Sequence, residues 1–319
     1  MSRRITVRGR SLPAWSIAVA VALVVAVVIA LLLLLGGGDG GATVGPSIVV
    51  GEQPTQVAAG GGSVWTTNFG TDSVERIDPH STKPVGETQV DEGPAAIAAS
   101  DEGVWVGAVG EGIIDRVDVH SVKLTARVQD GYAGAIAIGE GSVWVAGQAA
   151  NAVTRIDPVK KRVVKVIPVG NYPLGVAVGG GSVWVANPFS NTVSRVDPAT
   201  NRVAGKPIPV GRRPVKIAFG EDAVWTANRG DNSVSRIDPT TGKVVATIRV
   251  GPKPNSVAAG EGSVWVANVG NATVSQIDPS DNKVKKTLKV LPFPLSIAAG
   301  EGAVWVVSQT QNKLTRIDP

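Results

Sequence analysis

The chain has 319 residues, a formal net charge of +5, 43% hydrophobic residues, 39 glycines and no cysteine. The lack of cysteine excludes disulfides, thiolate metal sites and a lipoprotein anchor. Four of the 31 basic residues (Arg3, Arg4, Arg8, Arg10) precede residue 14; from residue 36 on, 27 basic face 26 acidic groups, which is no nucleic-acid footprint.

Residues 1–13 read as a basic cytoplasmic arm. Ala14 to Leu35 follow, 22 positions without a charge. At roughly 1.5 Å per helical residue this length spans a hydrocarbon core. The arginines before it, with no acid among them, place the arm inside and everything after Gly36 outside the cytoplasm. The run is long for a signal-peptide core and no clear Ala-x-Ala site follows, so an uncleaved single-pass signal anchor in the cell membrane is expected. Ser2-Arg3-Arg4 as a twin-arginine export signal is the weaker reading, because Thr6 replaces the usual aromatic and the core is very hydrophobic. Residues 36–46 are a Gly-rich linker with a coil dimension of roughly 18 Å.

From residue 47 to 319 one unit repeats. Trp65, Trp105, Trp144, Trp184, Trp225, Trp265 and Trp305 are spaced by 40, 39, 40, 41, 40 and 40 residues. A period of this size marks a repeat fold whose units cannot bury their own apolar surface alone. The unit from Arg213 to Gly251 breaks into four β-prone runs, Val215–Phe219, Ala223–Ala227, Ser233–Ile237 and Lys243–Val250, separated by Gly, Asn, Asp and Pro clusters. An Asp-Pro pair, which favours a turn through side-chain bonding and a fixed φ, recurs at Asp78, Asp157, Asp197, Asp238, Asp278 and Asp318, whereas Val119 follows Asp118. The second run is apolar at consecutive positions and must be covered on both faces. The third alternates and is expected to be wetter.

Four strands with a doubly covered interior describe a propeller blade. Seven tryptophans imply seven blades. The last unit ends at Asp318-Pro319 without a fourth strand, while Ser47–Gly51 resembles Thr247–Gly251 and stands unpaired before the first unit. The expected fold is all-β: a seven-bladed propeller of four-stranded blades, closed by the N-terminal strand in the last blade and preceded by one transmembrane helix.

The segment WVANPFSNTVSRVDPATNRV, from Trp184 to Val203, resembles the YVTN-type β-propeller repeat, and Trp65–Asn68, Trp225–Asn228 and Trp265–Asn268 repeat the match. The resemblance covers roughly residues 47 to 319. It implies a binding module of a cell surface or periplasm. A comparable seven-bladed family is virginiamycin B lyase, which is an alternative reading as a lyase or hydrolase using His and Glu with magnesium. Its Pro-His-Gly-Ile and Trp-Phe-Thr-Glu motifs correspond here to Pro54-Thr55-Gln56-Val57, Pro173-Leu174-Gly175-Val176 and Pro214-Val215-Lys216-Ile217, and to Trp motifs ending in Asn, Ala, Gly or Ser. No position carries the required His or Glu, so the lyase chemistry is disfavoured and no catalytic residue is assigned.

One face of the ring carries uniform short hairpins and Asp-Pro turns. The other carries loops that do not repeat, where recognition tends to reside. Phe69, Tyr132, Tyr172, Phe189 and Phe293 map there, with Arg212, Arg213, Arg229 and Lys253; aromatics beside arginine are typical anchors. The tether enters near Ser47 on the uniform face, so the variable face should look away from the membrane. A protein, cell-wall or small-molecule ligand of the cell envelope is the expected partner, with no nucleic acid, no cofactor, no metal and a monomeric propeller.

Other motifs read as structural. His80 and His120 fall on turns of the uniform face. The Arg-x-Asp pattern of the third strand recurs in nearly every blade and reads as a turn pair. Asn68, Asn187, Asn228 and Asn268 should cap the loop that follows them by bonding its backbone. Gly60–Gly62 and Gly179–Gly181 join strands with no helix behind them and are not phosphate loops.

Overall fold

A computed structural model describes residues 5–7, 10–12, 41–129 and 133–319. The chain divides into two units, Met1–Gly41 and Ala42–Pro319. In the first, Ile5–Val7 pairs antiparallel with Arg10–Leu12. The expected anchor over residues 14–35 lies outside the described residues; among those described, no helix is long and apolar enough to cross a membrane.

The second unit is a ring of seven antiparallel sheets, each running from the axis to the rim. The fifth blade is representative: Pro214–Gly220, Ala223–Asn228, Ser233–Asp238 and Lys243–Arg249 pair in sequence order. The seventh contains Pro294–Gly300, Ala303–Ser308 and Lys313–Asp318, and its fourth strand is Thr43–Val49 from the other end of the unit. This closure follows the expectation, but the strand begins at Thr43, inside the segment read as linker, with a bulge between Val44 and Ser47. Ala42 just before it is buried in the core between the sixth and seventh blades, and its carbonyl accepts from Lys286 Nζ at 2.8 Å. In the fourth blade the outer strand is broken into Arg202–Val203 and Ile208–Pro209, where the tryptophan spacing stretches to 41.

Second strands such as Ser182–Asn187 are buried throughout. Third strands differ from expectation. Ser233–Asp238 is buried at four of six positions, because neighbouring blades cover both of its faces. The alternation in the sequence reflects small hydroxyl residues, which the blade buries by satisfying them internally. Asn228 Nδ2 donates to Ser233 Oγ (3.1 Å) and Ser235 Oγ (2.9 Å), and Asn187 and Asn268 do the same in their blades. These asparagines therefore tie the second strand to the third by side-chain bonds; the expected backbone cap is not what their amides make. Only the fourth strands, patterned like Lys243–Arg249, show exposed alternate residues.

The apolar core consists of seven clusters, one at each junction between blades. Trp184 packs with Ile217, Val224 and Ile237 of the next blade, and Trp305 packs with Val57, Val64 and Ile77 across the closure. Six of the tryptophans are fully buried and Trp105 is 2% exposed. Six of the seven rings are also fixed at the polar end: Trp184 Nε1 donates to Gly179 O at 3.0 Å, and Trp65, Trp144, Trp225, Trp265 and Trp305 bond the equivalent glycine carbonyls. That glycine is required by the neighbour. A Cβ on Gly179 would sit 2.0 Å from Phe219 Cδ1, and one on Gly60 would sit 2.6 Å from the Ala99 carbonyl.

The Arg of each Arg-x-Asp pair stacks on its own blade's Trp, at 5.1 Å for Arg236 over Trp225 and 5.2 Å for Arg155 over Trp144. Its guanidinium then reaches forward: Arg236 Nη1 donates to Pro279 O and Arg155 Nη1 to Pro198 O, both at 2.7 Å, in the Asp turn of the next blade. Arg316 does the same to Pro79 O across the ring closure. The Asp turns themselves are held by carboxylate bonds to the N–H groups two and three residues on, as in Asp238 to Thr240 (2.7 Å) and Thr241 (3.1 Å). Those bonds keep the Asp238 carboxyl below the usual range. Asp118 keeps the same turn with Val119 in place of Pro, since the carboxylate bonds alone suffice. His80 and His120 are exposed on these turns.

Trp184→Ala is expected to cost about 3–5 kcal/mol in chemical denaturation, from lost transfer and the cavity left behind. Arg236→Ala should cost about 1–2 kcal/mol, since it removes a stacked cation and a blade-to-blade hydrogen bond. An unchanged midpoint for either would contradict the wedge and staple roles.

Candidate functional site

The first strands of all seven blades surround the axis and line a cavity of about 110 Å³. Each strand enters from the variable face, so its first residues set the channel mouth. The residue before each entry forms a crown around that mouth: Gln53, Gly93, Tyr172, Arg213, Lys253 and Phe293 in six of the blades. Tyr132, the corresponding residue of the third blade, lies outside the described residues.

All six described crown residues have left-handed backbones, with φ of 48° at Gln53, 72° at Gly93, 57° at Tyr172, 53° at Arg213, 53° at Lys253 and 60° at Phe293. A non-glycine residue pays a steric penalty there, so the ring must over-determine the conformation. It does so from the previous blade. Asn191 Oδ1 accepts from Arg213 N (2.9 Å), Asn232 Oδ1 from Lys253 N (2.9 Å), Asn151 Oδ1 from Tyr172 N (2.8 Å) and Asn312 Oδ1 from Gln53 N (3.0 Å). On the other side, the carbonyls of Arg213 and Lys253 accept from Arg229 N and Val269 N. Gly93 N donates instead to Asp72 Oδ1 (2.8 Å), and Ala272 stands at the equivalent position before Phe293.

The aromatic candidates distribute as follows. Tyr172 and Phe189 stack with centroids 4.8 Å apart and an interplanar angle of 15°. Phe189 is 63% exposed, while Tyr172, Phe69 and Phe293 are about two-fifths exposed. The Phe69 ring lies over Gly93, where an added Cβ would come within 3.1 Å of it. Among the basic candidates, Arg213 and Lys253 are exposed on the crown. Arg212, one residue earlier, bonds the Asp231 carboxylate and the Gly230 carbonyl. Arg229 is half-buried and donates to Asn255 Oδ1 at 2.7 Å, while Asn255 Nδ2 donates to Leu295 O at 2.8 Å, linking the fifth, sixth and seventh blades at the mouth.

Below the crown, equivalent first-strand positions hold Gln56, Ala96, Ala135, Gly175, Lys216, Ser256 and Ser296. Lys216 is the one charged side chain among the described residues lining the cavity. Its Nζ donates to the Gly134 carbonyl of the third blade at 3.1 Å. Withdrawal from water pushes its pKa down to about 8. Ser256 Oγ accepts from Ile297 N (3.3 Å), and Ser296 Oγ donates to Gln56 Oε1 (3.3 Å). Sequence reasoning passed over Lys216. The available signal was a lone cation at a repeat position otherwise filled by small or neutral residues. Among the described residues no His, Cys, Asp and Glu cluster of three or more could hold a metal ion.

A lysine whose pKa is depressed in the folded state destabilises the fold below about pH 8, and that penalty disappears as pH rises toward 10.5. Lys216→Met should therefore be more stable than the parent at pH 7, on the order of 1–3 kcal/mol. The difference should shrink at pH 9.5 in paired urea melts. A variant less stable at both pH values would refute this.

No family model matches the sequence, and no curated protein matches it. Solved structures do. Hydrazine synthase of Kuenenia stuttgartiensis aligns with a TM-score of 0.75 and 16% identity over 84% of this chain and 96% of that one. A streptogramin B lyase aligns at 0.77 and 18% over 87% and 97%. Virginiamycin B lyase from Staphylococcus aureus aligns at 0.73 and 18% over 87% and 99%. At these identities the likeness is one of fold: the chain is a seven-bladed β-propeller similar in architecture to virginiamycin B lyase.

Proposed function

We propose that this protein is a binding module whose ligand lies on the crown over the channel mouth. The observation that carries this reading is the crown itself. Five non-glycine residues of different chemistry, Gln53, Tyr172, Arg213, Lys253 and Phe293, occupy backbone conformations in which glycine would cost least. The same left-handed conformation recurs at turns of the opposite face, such as Thr82 and Glu221, so it is the variety of the crown side chains that points to recognition. The side chains suit a ligand that presents acidic groups to Arg213 and Lys253 and a flat or apolar part to the Tyr172–Phe189 stack. Such a ligand is a protein, cell-wall polymer or small molecule of the cell envelope.

The presentation of the ring supports the same reading. Thr43 pairs with Asp318, so the chain enters the ring on the Asp-Pro face, opposite the crown. With residues 14–35 as a membrane anchor, the chain would reach the ring at the face opposite the crown. The fold shared with virginiamycin B lyase leaves a lyase as the rival; the buried Thr55 and Val215 stand where that resemblance would require His.

Phe189→Ala and Arg213→Glu should each reduce capture of envelope ligands by the full-length protein at least tenfold while moving its Tm by less than about 2 °C. Undiminished capture, or a Tm loss matching that of Trp184→Ala, would sink the crown as a recognition surface. Magnesium-dependent opening of a cyclic depsipeptide would replace the binding reading with the lyase.

A further inference from the structure

We infer that the axial cavity is a receiving site for one carboxylate group, held by the Lys216 ammonium with the Ser256 hydroxyl and the Gln56 amide, whose Oε1 is held by Ser296 Oγ. This deepens the binding reading: the crown would hold the body of the ligand and the cavity its acidic end.

Charge selects the class of group. Lys216 faces the cavity with no carboxylate among the described lining residues, and its bond to the Gly134 carbonyl leaves ammonium hydrogens unused. A cation lining a narrow cavity with no counter-charge among the described lining residues favours an anion and repels metal ions. Arg213, Arg229 and Lys253, on or beside the crown, add to the same positive field.

The arrangement of donors narrows the class further. Polar positions fill one arc of the ring: Lys216, Ser256, Ser296 and Gln56 on the fifth, sixth, seventh and first blades. The remaining arc presents Ala96, Ala135 and Gly175 on the second, third and fourth blades. A halide or phosphate accepts hydrogen bonds on all sides. A carboxylate on a carbon chain has a polar end for the first arc and an apolar stem for the second. Because Ser256 Oγ accepts from a backbone N–H, its own hydrogen is free to point at such a group. The cavity of about 110 Å³ admits a group of a few atoms, well below the roughly 300–1,000 Å³ of a pocket that encloses a whole ligand. The rest must lie outside, on the crown.

The test uses the full-length protein in detergent, with sodium acetate as the carboxylate probe and sodium chloride and sodium phosphate at matched ionic strength. Acetate at ten times its Kd should raise the Tm by about 3 °C more than chloride or phosphate does. Lys216→Met, checked for folding by near-UV circular dichroism, should abolish the difference; Lys216→Gln serves if the Met variant misfolds. Lys243→Gln, on the exposed outer strand of the same blade, should retain it. The shift should fall between pH 7 and pH 9.5, as the ammonium is lost. An equal shift with chloride or phosphate, a shift that persists without Lys216, or no shift at all overturns the carboxylate site. Failure of the crown alone gives a different pattern: acetate still binds, while Phe189→Ala leaves ligand capture intact.

Discussion

Everything in this ring depends on one tryptophan per blade being wedged against the blade that follows. A four-stranded sheet of about 25 residues cannot bury enough apolar surface to offset its conformational entropy. The seven core clusters accordingly lie between blades, with Trp184 against Val224 and Ile237, and Trp305 against Val64 and Ile77. The indole does two jobs at once. Its faces fill the junction, and its N–H reaches back to a glycine carbonyl that only a residue without a side chain could bring so near the next blade. The arginine stacked on it carries the link to the outer turn of the neighbour. Closure with Thr43–Val49 supplies the outer strand of the seventh blade, so the same junction runs around the whole circle.

A frame fixed by repeated contacts can tolerate variation wherever those contacts do not reach. The crown lies at such a place. Its backbone is set by an Asn side chain from one direction and a loop N–H from the other, and neither bond involves the crown side chain. Side chains as different as those of Gln53, Arg213 and Lys253 therefore share one geometry. The aromatic stack of Tyr172 on Phe189 shows the opposite case, where two non-repeating residues organise each other.

The fold was legible because the features that determine it repeat. Tryptophan spacing gave the blade count, and the orphan strand before the first unit gave the closure. The third strand reads as wetter than it is, because Ser and Thr count as solvent-facing when taken one at a time. Ser235 is buried because Asn228 from the adjacent strand satisfies it, a pairing invisible without the register. The Arg-x-Asp motif was assigned to one turn, yet its arginine serves the next blade some 43 residues on. The candidate site was legible only by difference. Tyr172, Arg213, Lys253 and Phe293 stood out as residues that break the pattern, but their common left-handed backbone required coordinates. Lys216 was hidden because a single lysine in a strand is unremarkable until seven strands place it on an axis.

Departures from the repeat are where physical cost and function can be weighed against each other. The second blade departs most: Ser100 replaces the glycine beneath the indole, Ala108 the asparagine, and Asp115 the buried serine, where it pairs with Arg127 at 3.2 Å and accepts from Asp91 N at 2.7 Å. Those changes compensate one another locally, since the acid that enters the interior brings its own cation and backbone donor. Lys216 has no such counter-charge among the described residues, only the Gly134 carbonyl. A half-buried ammonium without a carboxylate lowers stability in a protein whose total margin is only about 5–15 kcal/mol. Met or Leu would fill the same space without that cost. The difference between the two departures is what assigns the first to architecture and the second to recognition: one arrives with its partner, and the other leaves a place for it.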